Sequence, residues 1–170
     1  LLDASAMLAN LLDSLQLPAA SRIAVQVDKS VEALMLYLAT LRAGHIYVPL
    51  NTAYQSGEMA YFLQDAQAAV LMCSSANLPW LQPLSRAAGT QHVFTLNDNR
   101  TGTLLDAAAR QSRKHTVAQV KPKALAAIIY TSGTTGRSKG AMLSHANLLS
   151  NAKVLQRYWD WQKPGKTQAQ

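Results

Sequence analysis

The chain carries a single cysteine, Cys73, among its 170 residues. That excludes an internal disulfide and a multi-cysteine metal site, and it is compatible with a reducing, cytoplasmic setting. Cys73 closes the apolar run Ala69-Val70-Leu71-Met72-Cys73, where a small buried core residue is expected rather than a nucleophile. No apolar run reaches the roughly 18 residues of a membrane span. The opening Leu1-Leu2-Asp3-Ala4-Ser5 lacks the basic segment of a signal peptide. Residue 1 is not Met, so either the start was processed or the sequence is a piece of a longer chain. His45, His92 and His115 share no ligand spacing, and no metal site is expected from them.

Acid is scarce in the second part. Residues 1–109 hold five Lys/Arg and eight Asp/Glu, a net of −3, whereas residues 110–170 hold eleven Lys/Arg and only Asp160, a net of +10. The asymmetry fits either attraction of an anionic ligand or acidic partner segments further along a longer chain. Nucleic acid is not expected as a partner. The basic residues are scattered singly, their aromatic company is limited to Tyr158, Trp159 and Trp161, and no binding module is recognisable. Hydrophobic residues make up 49% and mean hydropathy is −0.02, an ordinary soluble composition long enough for one domain with a core.

Leu8, Leu11, Leu12 and Leu15 recur at helical spacing and predict a helix over about 2–16, ended by Pro18. Arg22–Val27 reads as a strand. Ser30 can cap a helix whose apolar positions Val31, Leu34, Leu38 and Leu41 are expected to line one face, with Gly44 just past its end. Ile46–Val48 reads as a strand stopped by Pro49, Ser56 opens a helix with Glu58 in its first turn, and Ala69–Cys73 is a strand. Leu78–Ala88 is expected to be partly helical, limited by Pro79 and Pro83. His92–Leu96 reads as a strand, Leu104–Arg110 as a helix and 111–123 as a connecting loop. Ala124–Tyr130 is a buried strand, Ala141–Leu143 a short one, and His145–Trp159 a helix. Residues 162–170 are expected to be a disordered tail. Strands alternating with helices imply an α/β fold with a mainly parallel sheet and flanking helices.

The most informative stretch is Tyr130-Thr131-Ser132-Gly133-Thr134-Thr135-Gly136-Arg137-Ser138-Lys139-Gly140. Four hydroxyl side chains at Thr131, Ser132, Thr134 and Thr135, three glycines and Lys139 follow a buried strand. Backbone N–H groups freed by glycine geometry, hydroxyl donors and one mobile cation are what wrapping a polyphosphate requires. The spacing is not that of a Walker A loop, since Ser138 precedes Lys139 and Gly140 follows it. Nor can a G-x-G-x-x-G fingerprint be placed on Gly133, Gly136 and Gly140.

Residues 131–140 instead resemble the phosphate loop of the AMP-forming acyl-CoA synthetase superfamily, the adenylate-forming enzymes. That pattern runs Ser/Thr, Ser, Gly, two Ser/Thr, Gly, any residue, Pro or Ser, Lys, Gly, and every position is matched. Among the subgroups the wording is closest to malonyl-CoA synthetases, on residues 24–34, Pro49-Leu50-Asn51-Thr52-Ala53-Tyr54 and Gly136-Arg137-Ser138-Lys139-Gly140-Ala141-Met142-Leu143-Ser144-His145.

The resemblance implies a ligase that uses ATP, Mg2+ and CoA on a small-molecule carboxylate, with malonate as the expected acid. It implies phosphate contacts from Thr131, Ser132, Gly133, Thr134, Thr135 and Gly136, and a catalytic charge from Lys139. Residues 1–161 would be a partial N-terminal adenylation domain. The adenine, ribose, acid and CoA sites and a C-terminal lysine would lie beyond residue 170, so the chain alone is not expected to complete the reaction. It would also leave apolar positions such as Leu148, Leu149 and Leu155 poorly covered. Other acids (medium-chain, aromatic or carrier-protein-loading) and a non-catalytic nucleotide-binding remnant stand as alternatives.

Overall fold

The structure, a computed structural model, describes residues 1–131 and 137–159. The expected tail at 162–170 lies outside them. The elements run α1 (Leu2–Ser14), β1 (Arg22–Gln26), α2 (Val31–Arg42), β2 (Ile46–Pro49), α3 (Ser56–Ala66), β3 (Ala68–Cys73), α4 (Leu78–Ala87), β4 (His92–Thr95), α5 (Thr103–Ala108), β5 (Leu125–Thr131), β6 (Lys139–Ser144) and α6 (His145–Tyr158). The strands form one sheet in the order β4-β3-β1-β2-β5-β6. All neighbours pair in parallel except β5 and β6, which are antiparallel.

Both faces of the sheet are covered over β1, β2 and β3, where the side chains alternate between two cores as the period of a strand requires. Ile23, Val25, Val70 and Met72 pack against α1, α2 and α5. Ala24, Leu71, Cys73, Ile46 and Val48 pack against α3 and α4. The sides follow from handedness. The crossover through α2 steps one way from β1, and those through α3 and α4 step the other way, so right-handed connections put them on opposite faces. The two loops that diverge after β1 and β2 leave a crevice at the carboxyl ends of the strands, where open α/β sheets take their ligands.

Two expectations are corrected. On α2, Val31 and Leu34 are 60% and 50% exposed, and Leu38 and Leu41 are only half-buried. The buried face carries Leu36, Ala39 and Thr40, with Met35 and Ala43 beside them. The helix is apolar nearly all round, so periodicity alone does not orient it. Its facing is set by the Glu32–Arg100 pair at 2.6 Å and by Arg42 donating to the Leu2 carbonyl and the Ser5 hydroxyl. On α4, Pro83 sits inside a continuous helix. It forfeits one backbone bond, but Leu81 and Ser85 are fully buried and hold the turn in place. Gly44 sits just past α2 with φ +76°, as its position requires.

The connector after α5 is strapped down. Asn10 donates to the Ser112 and Lys114 carbonyls, Arg42 to the His115 carbonyl, and the buried His115 ring meets Asp13 at 2.8 Å.

Candidate functional site

The site is built on the β5–β6 hairpin. Thr131, the last residue of β5, and Lys139, the first of β6, are ladder partners, followed inward by Tyr130 opposite Gly140 and Ile129 opposite Ala141. Both Thr131 and Lys139 are exposed, and among the described residues Lys139 pairs with no carboxylate. Ser132, Gly133, Thr134, Thr135 and Gly136 lie outside the described residues, so the structure positions the two ends of the predicted loop. Gly140 is there for lack of room: a Cβ would fall 2.7 Å from Ile128 Cγ2.

Beneath the hairpin lies an aromatic cluster. Phe62 packs with tilted rings against Tyr130 at 4.4 Å, Tyr54 at 4.8 Å and Tyr61 at 5.4 Å, all centroid distances. The Tyr130 hydroxyl donates to Asp65 at 2.5 Å. Burial, with that bond second, pushes the Tyr130 phenol up and keeps it a neutral donor. The Tyr61 hydroxyl donates to the Ser138 carbonyl at 2.9 Å. Arg137 is exposed yet rests over the Tyr61 ring, 5.5 Å from its centroid, rather than pointing free into solvent.

Beside the hairpin a cleft of about 710 Å³ opens at the carboxyl ends of β1, β2 and β5, lined among others by Asp28, Lys29, Asn51, Tyr54 and Tyr130. Gln26, fully buried, shapes it. Its amide donates to the Asn51 and Tyr54 carbonyls at 3.3 and 3.4 Å and accepts from Asn77 at 3.4 Å, joining the end of β1 to the loops after β2 and β3.

His145 takes a structural place. It follows the Ser144 cap at the far end of β6, roughly 17 Å along the strand from Lys139, and its backbone N–H donates to the Ala124 carbonyl. Cys73 is fully buried and burial pushes its thiol up to about 11, so it is inert core. Among the described residues no three of His, Cys, Asp and Glu gather to hold a metal, and no helix is long and apolar enough to cross a membrane. Sequence reasoning missed Gln26, Tyr61 and Asp65. The one signal available was the i, i+4 spacing of Tyr61 and Asp65 on α3.

A mostly parallel sheet flanked by helices, with Thr131 and Lys139 exposed at its carboxyl edge, defines an α/β fold. The chain belongs to the AMP-binding enzyme family, whose pattern matches residues 1–169. ATP-bound MatB from Rhodopseudomonas palustris is similar to it at 45% identity and a TM-score of 0.89, over 94% of this chain and 31% of that one. A long-chain-fatty-acid-CoA ligase (FadD1) from Archaeoglobus fulgidus is 28% identical with a TM-score of 0.83, over 94% and 32%. Tyrocidine synthase 3 from Brevibacillus parabrevis is 33% identical over 150 residues, 88% of this chain and 2% of that protein. The chain thus spans less than a third of the length of these relatives.

Proposed function

We propose that residues 1–161 form the first part of the adenylation domain of an ATP-dependent, AMP-forming acid–thiol ligase, and that residues 131–140 grip the triphosphate. In this reading the acid's carboxylate attacks the α-phosphorus of ATP to give an acyl-adenylate and pyrophosphate, and the CoA thiolate then displaces AMP to give a thioester. The obstacle is an anion approaching a tetra-anion. Hydroxyls of Thr131, Ser132, Thr134 and Thr135 donate to phosphate oxygens, Gly133 and Gly136 admit backbone N–H groups, and Lys139 sets a charge where pyrophosphate leaves. Mg2+ would neutralise further phosphate charge. Among the described residues no three of His, Cys, Asp and Glu gather to hold it, and this reading assigns its ligands to the nucleotide and to residues beyond 170.

The observation that carries the reading is the pairing of Thr131 with Lys139 at the carboxyl edge of the sheet, in a chain 45% identical to ATP-bound MatB. Titration calorimetry of the chain with MgATP tests it. Saturable binding weakened about tenfold or more in Lys139→Ala is expected for the loss of a charge-assisted contact, and equal affinity would remove the lysine from the site.

For the acid, malonate is favoured by the wording shared with malonyl-CoA synthetases and by the similarity to MatB. A carrier-protein-loading adenylation domain is the second reading, favoured by the 33% identity to tyrocidine synthase 3. ATP–pyrophosphate exchange in a ligase carrying this chain decides between them. Exchange driven by malonate supports the first, and exchange driven by an amino acid supports the second.

A further inference from the structure

Helix α3 holds both stems of the predicted loop. Tyr61 and Asp65 stand one turn apart on it, a spacing that puts both on one face. Tyr61 donates to the carbonyl of Ser138, the residue just before β6. Asp65 accepts from Tyr130, the penultimate residue of β5. Phe62 lies between them against the Tyr130 ring, and Arg137 is laid over Tyr61. The hairpin needs such an anchor. β6 is the outermost strand and has only β5 beside it, and a two-stranded ribbon at a sheet edge twists readily.

We propose that Tyr61 and Asp65 are positioning residues, which fix the separation and twist of the two stems and thereby hold Thr131 and Lys139 ready for an anion. Its consequence for ATP rests on the phosphate-gripping reading above; the clamp itself does not. Neither side chain touches the nucleotide in this account. Each acts through a stem, Tyr61 on the outgoing one and Asp65 on the incoming one.

The test uses the 170-residue chain with Tyr61→Phe, which keeps the ring and the Arg137 stack and deletes one hydroxyl, and Asp65→Ala. Tyr37→Phe serves as control, since Tyr37 pairs edge-on with Tyr47 at 5.2 Å, away from the hairpin. Hydrogen–deuterium exchange without nucleotide should run about three- to tenfold faster across 137–143 in Tyr61→Phe, the effect of losing one hydrogen bond. In Asp65→Ala the acceleration should fall on 125–131. The urea midpoint of Tyr61→Phe should match that of Tyr37→Phe, while its dissociation constant for MgATP rises about three- to tenfold. Exchange across 137–143 no faster than in the control overturns the clamp. Faster exchange with an unchanged MgATP constant overturns the positioning role. If the unaltered chain binds no MgATP, the nucleotide reading fails on its own and the exchange experiment still decides the clamp.

Discussion

Burial raises the Cys73 thiol to about 11 and closes it off from solvent. A thiol-specific reagent at pH 8 should therefore label it only when β3 opens, with a rate that rises in urea; immediate labelling of the folded chain would contradict the packing. His45 bears on pH. It is buried, and burial lowers its pKa from the ordinary 6.5 against an opposing pull from Asp13. The unfolded chain then binds this proton more readily than the folded one. The contribution is fully present above pH 6.5 and is lost as pH falls from there through the depressed folded value. Chemical denaturation at pH 7 and pH 5 should show a smaller loss of stability on acidification in His45→Gln than in the parent chain.

At the level of elements, α2 offers a sharp contrast. Leu36→Ala, at a fully buried position, should cost about 2–5 kcal/mol, whereas Leu34→Gln on the exposed side should stay within about 0.5 kcal/mol. Urea unfolding of the two variants checks this, and a larger cost for Leu34→Gln than for Leu36→Ala would mean that the helix buries the Val31, Leu34, Leu38 and Leu41 face instead. The order of elements was legible because Pro18, Gly44 and Pro49 punctuate runs of clear period, and the loop was legible because its chemistry is local. The face of α2 was not, because a helix apolar on most sides is oriented by distant partners such as Arg100. The same limit hid Gln26, Tyr61 and Asp65. Tyr61 and Asp65 find their partners 77 and 65 residues away, and no window of sequence contains both ends of such a bond. Nor does an apolar strand announce its direction, so the antiparallel setting of β6 emerged only from the pairing.

Across the whole molecule the packing is uneven. α6 buries no residue, and Leu149, Val154 and Tyr158 are 56%, 58% and 83% exposed, as is Met142 of β6 at 73%. Apolar surface of that kind invites association. Leu149→Lys with Val154→Lys should cost under about 0.5 kcal/mol in stability yet reduce light scattering at high protein concentration; unchanged scattering would show that another surface is responsible.

The strap over α1 and α2 carries a consequence of its own. Because Asn10, Asp13 and Arg42 grasp residues 112–115 through side chains, and β5 is seated beside β2, the peptide link near Arg110 is not all that keeps the basic portion in place. Two separately expressed polypeptides divided there should recognise one another and reconstitute the sheet, a case of fragment complementation built into an uninterrupted chain.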